Sequence, residues 1–121
     1  MLGIVLKDPF LDRSFPTRGT VMAVVDTGYD GFVAVPEDVF AKAGFAQLSP
    51  TRRLVVTADG HPLEMVSAMG SVGLPELGLS VGGPVESAPG MEEILVGTML
   101  LRGFKVTLNY CVSAAGLEIC R

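Results

Sequence analysis

Apolar residues in this chain come in short runs broken by glycine or proline, without the long stripes at helical spacing that mark amphipathic helices. Such punctuation predicts a mainly β domain. Residues 4–6 read as a first short strand, and the segment from Asp8-Pro9 to Pro16-Thr17 reads as a long connection. Residues 19–25 form the principal apolar strand. After the polar turn Asp26-Thr27-Gly28-Tyr29-Asp30-Gly31, residues 32–35 return. Pro36-Glu37-Asp38 has the proline and acidic residues of a first helical turn, so the pattern predicts a short helix through Ala43 that stops at Gly44.

Further along, residues 53–57 and 63–68 flank Ala58-Asp59-Gly60-His61, and Asp-Gly between two extended runs predicts a β-hairpin. Residues 71–74, 77–81 and 84–87 predict strands separated by glycine turns. Residues 93–97 predict a buried strand and residues 98–102 a helical turn or two ending at Gly103. An alternating strand over residues 104–112 follows. No repeat, linker or low-complexity stretch interrupts the pattern, so one domain over residues 1–121 is expected.

At 121 residues and 12.7 kDa the chain is large enough for a core and too short for two lobes. A hydrophobic content of 49% and a mean hydropathy of +0.49 are high for so small a domain, and the surplus suggests contact between subunits. No apolar run approaches the ~18 residues of a membrane span, so no membrane association is expected. Net charge is −4 and the largest basic cluster is Arg52-Arg53, which argues against nucleic acid as a partner. The first residues lack the basic and long apolar regions of a signal peptide, and a cytoplasmic location is the expectation. Cys111 and Cys120 then read as free thiols, although they flank residues 113–116 in a way that would let a terminal hairpin pair them. With His61 the single histidine, there is no Cys/His cluster, and neither metal nor cofactor is expected.

Candidate chemistry centres on Asp26. A carboxyl beside Thr27-Gly28, on a tight turn after an apolar strand and with no neighbouring base, suits a reaction in which two aspartates share one proton and activate a water. Taken alone, Asp-Thr-Gly could equally turn an ordinary hairpin. Asp8, Asp12, Asp38 and Asp59 lack the Thr-Gly context, so a second carboxylate would have to come from another copy of the chain. Two other features read more simply. His61, at a hairpin turn, could touch substrate or respond to pH, although a lone turn histidine is more often simply solvated. Glu92 and Glu93, adjacent on an extended segment, point to opposite faces and read as surface charges.

Val24-Val25-Asp26-Thr27-Gly28, the helix after Pro36, the Ala58-Asp59-Gly60 hairpin and Ile94-Leu95-Val96-Gly97 with Leu100-Leu101 together resemble the single-domain retroviral-type aspartic peptidases, in their cellular and prokaryotic branch. The likeness runs from about Val21 to Tyr110. It implies a partly closed β-barrel with a flap hairpin and one or two short helices, and a homodimer with one Asp26 from each subunit. It also implies hydrolysis of peptide bonds between apolar residues. Asp26, Thr27 and Gly28 would be the catalytic turn, Thr27 locking the two turns together and Gly28 admitting the substrate backbone. Tyr29, Asp30, Val33, Leu95 and the flap residues Ala58, Asp59, Gly60 and His61 would bind the peptide. Gly97 and Arg102 would support the turn. Family members often carry an arginine after the glycine matching Gly97, paired with the acid matching Asp30. Thr98 stands there instead, with Met99 in place of an Asp or Asn, so either Arg102 substitutes as the partner of Asp30 or the pair is absent. Tyr29 replaces a small residue and would narrow the cleft, place a hydroxyl by the substrate, or simply pack. A catalytically silent module of the same fold for binding or dimerisation, and an unrelated small β-barrel that binds a ligand, are the other readings of the same residues.

Overall fold

A computed structural model of the chain describes residues 1–8, 10–56, 59–109 and 114–119. The strands are β1 (Leu2–Asp8), β2 (Arg13–Phe15), β3 (Val21–Val25), β4 (Val33–Val35), β5 (Thr51–Val56), β6 (Pro62–Leu74), β7 (Leu79–Ser87), β8 (Leu95–Val96), β9 (Phe104–Asn109) and β10 (Ala114–Ile119). Two short helices join them, α1 (Glu37–Lys42) and α2 (Thr98–Leu101). The architecture is mainly β, as the glycine-punctuated pattern predicts, and six strands form a closed barrel. Around it the order is β1-β3-β8-β4-β7-β6, returning to β1, with β2 and β5 as outer strands and β9-β10 as a separate two-stranded sheet. Closure comes from β1, which pairs with β3 through residues 2–4 and with β6 through Val5↔Gly73, Leu6↔Val72 and Lys7↔Ser71.

The barrel interior follows from the two-residue period of each strand. Val33 lies opposite both Val85 and Val96, and with Ile4, Leu6, Val35 and Val72 it makes an apolar centre. Each of these side chains is sealed from solvent. Helix α1 begins after Pro36 and buries Val39 and Phe40, and Gly44 ends its turn at φ 89°. The Phe40 and Phe45 rings then meet at 5.6 Å. Burying a side chain of this size contributes about 1.5–3 kcal/mol, which is enough to seat so short a helix.

Several strands differ in extent from the expectation. The segment after Asp8 contains β2, because Asp8 Oδ1 accepts the N–H groups of Phe10 (3.0 Å) and Leu11 (3.1 Å) and turns the chain back along β1. Residues 62–74 and 79–87 are two long paired strands, not several short ones, even though Gly70, Gly73, Gly82 and Gly83 read as turns. Gly70 and Gly83 have a packing role. A Cβ on Gly70 would sit 2.6 Å from the Phe45 ring, and one on Gly83 would sit 2.6 Å from the Phe32 ring. The real turn is Pro75–Leu77, a single 3-10 turn closed by Gly78 at φ 63°, where a strand was expected from residue 77. Cys111, Cys120 and Ala58 lie outside the described residues. No helix among the described residues is long and apolar enough to cross a membrane.

Candidate functional site

The turn at Asp26 is built by a strand that arrives about seventy residues later in the chain. β8 inserts between the two arms of the turn, parallel to β3 (Val24↔Leu95, Val25↔Val96) and antiparallel to β4 (Val33↔Val96, Ala34↔Leu95). The Asp26 N–H donates to Val96 O at 2.9 Å, and the Gly97 N–H donates to Phe32 O at 2.9 Å. Within the turn, the Tyr29 N–H donates to Asp26 O (3.2 Å) and the Gly28 N–H donates to Asp26 Oδ1 (2.9 Å). The second oxygen, Oδ2, takes no part in the hydrogen bonds that fix the turn. The carboxylate is therefore oriented by its own loop with one oxygen left for outside chemistry. Asp26 is half-buried, while Thr27, Gly28 and Asp30 are exposed.

Helix α2 braces this loop through its backbone. Its first amides have no partner within the helix, and here the Thr98 N–H donates to Tyr29 O (2.9 Å) and the Met99 N–H to Gly31 O (3.0 Å). Of the two readings of the side-chain brace, the absent pair is the one seen: Arg102 is exposed at the far end of α2, and no ion pair joins it to Asp30 among the described residues. Thr98 and Met99 therefore suffice, because the contacts at these positions are made by main chain. Gly97 is needed for the same close approach. A Cβ there would lie 2.7 Å from Tyr29 O and closer still to Gly31 O.

Strand register places a row of residues on the face that carries Asp26. Val24 shares that face by the two-residue period, Leu95 lies beside it, then Ala34, Glu86, Ser67 and Thr51, with Arg53 two positions along β5. Val33 belongs to the opposite face and is 0% exposed, so it supports the turn from the barrel interior and does not line a cleft. Leu95, half-buried beside Val24, is the better apolar wall. β5 and β6 form the expected hairpin, paired from Thr51↔Ser67 to Val56↔Pro62. Its tip carries Asp59, Gly60 at φ 85° and His61, whose Nδ1 lies 2.9 Å from Asp59 Oδ2 on the exposed surface. The register brings the hairpin to the same face as Asp26 and leaves His61 at the exposed tip.

Glu86 is the residue that sequence reasoning missed. It is 4% exposed, and its carboxylate accepts hydrogen bonds from Tyr29 Oη (2.7 Å), Arg53 Nε (2.7 Å) and Arg53 Nη2 (2.8 Å). Burial holds the Tyr29 hydroxyl far above the ordinary phenol range, and the hydrogen bond to Glu86 and its charge add to that, so the group stays protonated and donates its O–H to Glu86. The Arg53 guanidinium is raised in turn by its hydrogen bonds to Glu86. Tyr29 thus curls over Gly31, where a Cβ would strike the phenol, and becomes part of the wall. The sequence carried no local sign of it: in Pro84-Val85-Glu86-Ser87 an acid reads as a surface charge, and only the pairing of β5, β6 and β7 brings Arg53 to Glu86.

Two hollows of about 510 Å³ flank the region, one against Phe10, Thr51, Ser67 and Met69 and the other against Met22, Val24 and Ile94. Asp26 lines neither of them. No group of three or more metal-ligating side chains occurs among the described residues. A search among known proteins found an uncharacterized protein of Archaeoglobus fulgidus, 38% identical over 120 residues that cover 99% of this chain and 94% of that protein. No family model matches the chain. No solved structure matches it.

Proposed function

The chain belongs to one family with this archaeal protein, and from its own loop geometry we propose that it is an aspartic endopeptidase of retroviral type, active as a homodimer. The observation that carries the reading is the Asp26 turn clasped by β8, with Gly97 and the α2 amides beneath it and one carboxylate oxygen outside the bonds of the turn. Such rigidity at a half-buried acid is far more than a turn between two strands needs.

One subunit holds half of this chemistry. Two Asp26 carboxylates meeting across a twofold axis share a proton, since both cannot ionise at short range. The ionised one takes a proton from a bound water, whose oxygen attacks the peptide carbon. The protonated one donates to the carbonyl oxygen, giving a neutral tetrahedral diol that collapses with proton transfer to the leaving nitrogen. No covalent bond to the enzyme forms. Thr27, exposed at the turn, meets the partner's turn, and the apolar excess of the chain supplies the subunit contact. Substrate lies extended between the turn and the β5–β6 hairpin, adding its backbone as a strand, with Val24 and Leu95 selecting apolar side chains. A cytoplasmic setting goes with two cysteines, too few for a disulfide framework.

The test combines digestion and assembly. Wild type is expected to cleave a peptide library at about pH 4 to 7 and to sediment as a dimer, more completely with a peptide-like transition-state inhibitor. Asp26→Asn should lose at least about 10³-fold in rate, within the span that acid–base catalysis supplies, while keeping the wild-type circular dichroism spectrum. A monomer that neither cleaves nor binds the inhibitor refutes the reading. A dimer that binds peptides and cleaves none would mark a binding module.

A further inference from the structure

We propose that Glu86 is a positioning residue that fastens the β5–β6 hairpin to the Asp26 turn and so sets the width of the substrate slot. The role in substrate binding rests on the peptidase reading, whereas the fastening itself does not.

Both oxygens of Glu86 are engaged, and their partners come from two segments far apart in sequence. Tyr29 stands three residues beyond Asp26, and Arg53 lies in the first strand of the hairpin. The strand that carries Glu86 is the fixed member of this group. β7 lies inside the barrel, bonded to β4 on one side and β6 on the other. β5, by contrast, is an edge strand whose ladder is with β6 alone. Its Leu54 and Val56 are 70% and 71% exposed, so little apolar burial holds it down. The Arg53 fork supplies a second attachment, two charge-assisted bonds onto a carboxylate with only 5% of its side-chain surface exposed. Tyr29 supplies the third bond and brings in the catalytic turn, because the missing Cβ at Gly31 lets the ring reach across.

The position on the sheet gives the clasp its meaning. Glu86 lies between Ala34 and Ser67 in the row that starts at Asp26, so the clasp closes one flank of the place where an extended peptide would add. Fixing the hairpin to the turn there prepares the slot before substrate arrives and lowers the ordering cost of binding. It does not touch the reacting atoms. Loosening the clasp should therefore raise KM and leave kcat nearly unchanged.

The experiment compares Glu86→Gln, Arg53→Lys, Arg53→Met and Tyr29→Phe with wild type. Backbone amide exchange is read at residues 51–56 against residues 2–8, together with kcat and KM on one cleaved peptide. Glu86→Gln should speed exchange at residues 51–56 by about tenfold or more, with less than about threefold at residues 2–8. KM should rise about fivefold or more with kcat within about twofold. Arg53→Lys, which keeps the charge and loses the fork, should fall between wild type and Arg53→Met. Equal acceleration in both segments, or a loss confined to kcat, overturns the proposal. If Glu86→Gln does not fold, Tyr29→Phe and Arg53→Lys carry the same comparison. An inactive wild type with exchange raised only at residues 51–56 sinks the peptidase reading and keeps the fastening. An active enzyme whose exchange is unchanged in the variants does the reverse.

Discussion

Single atoms decide whether the Asp26 turn can exist. Gly97 has no Cβ because Tyr29 O and Gly31 O occupy that space, and backbone oxygens held by the α2 amides cannot step aside. Gly97→Ala should therefore cost more than about 3 kcal/mol of stability, beyond the usual penalty of an overpacked site. Gly116→Ala is the control, since nothing lies within 4 Å of the added methyl. It should change stability by less than about 0.5 kcal/mol, and denaturant midpoints of the two variants provide the check. At this scale the tight turn at Asp26 was legible, because Asp-Thr-Gly after an apolar strand is a local pattern. Glu86 and Arg53 were not, since their partnership spans three strands and leaves no spacing in the sequence. Val33 misled for a related reason: which face of β4 meets the barrel depends on its pairing with β7 and β8.

The elements near the site are short, and their backbones do much of the holding. Thr98 illustrates this. Its contribution to the loop is its backbone amide, which donates to Tyr29 O. Thr98→Ala keeps that amide and should be neutral within about 0.5 kcal/mol. Thr98→Pro removes it while suiting a first helical position, and the extended Gly97 before it (ψ 178°) tolerates proline. That variant should lose about 1–3 kcal/mol through an unpaired carbonyl, read from thermal unfolding of the pair side by side. Elements with local signatures were legible: α1 after Pro36, the Asp59-Gly60 hairpin and α2 before Gly103. The long β6–β7 ribbon was not, because Gly70 and Gly83 look like turn residues until Phe45 and Phe32 are seen to fill their places.

For the whole molecule, the mainly β class could be read from the short apolar runs, whereas a barrel was implied only by the resemblance and its closure had no sign in the sequence. The β1–β6 ladder joins residues 5–7 to residues 71–73 and has no local sign. Assembly is the open quantity at this scale, and it has a thermodynamic signature. If two chains complete one site, unfolding is coupled to dissociation, and a hundredfold rise in protein concentration should add about 2.7 kcal/mol of apparent stability by mass action. Calorimetric midpoints across that range should climb, whereas a monomer's would stay level.

The insertion of β8 between β3 and β4 also orders events during synthesis. Asp26 leaves the ribosome early, but the carbonyls and amides that shape its turn belong to Ile94, Val96, Gly97, Thr98 and Met99. A nascent chain shorter than this carries the acid without its clasp, whatever else has folded. The fold thereby withholds a shaped Asp26 turn until residues 94–99 have been made.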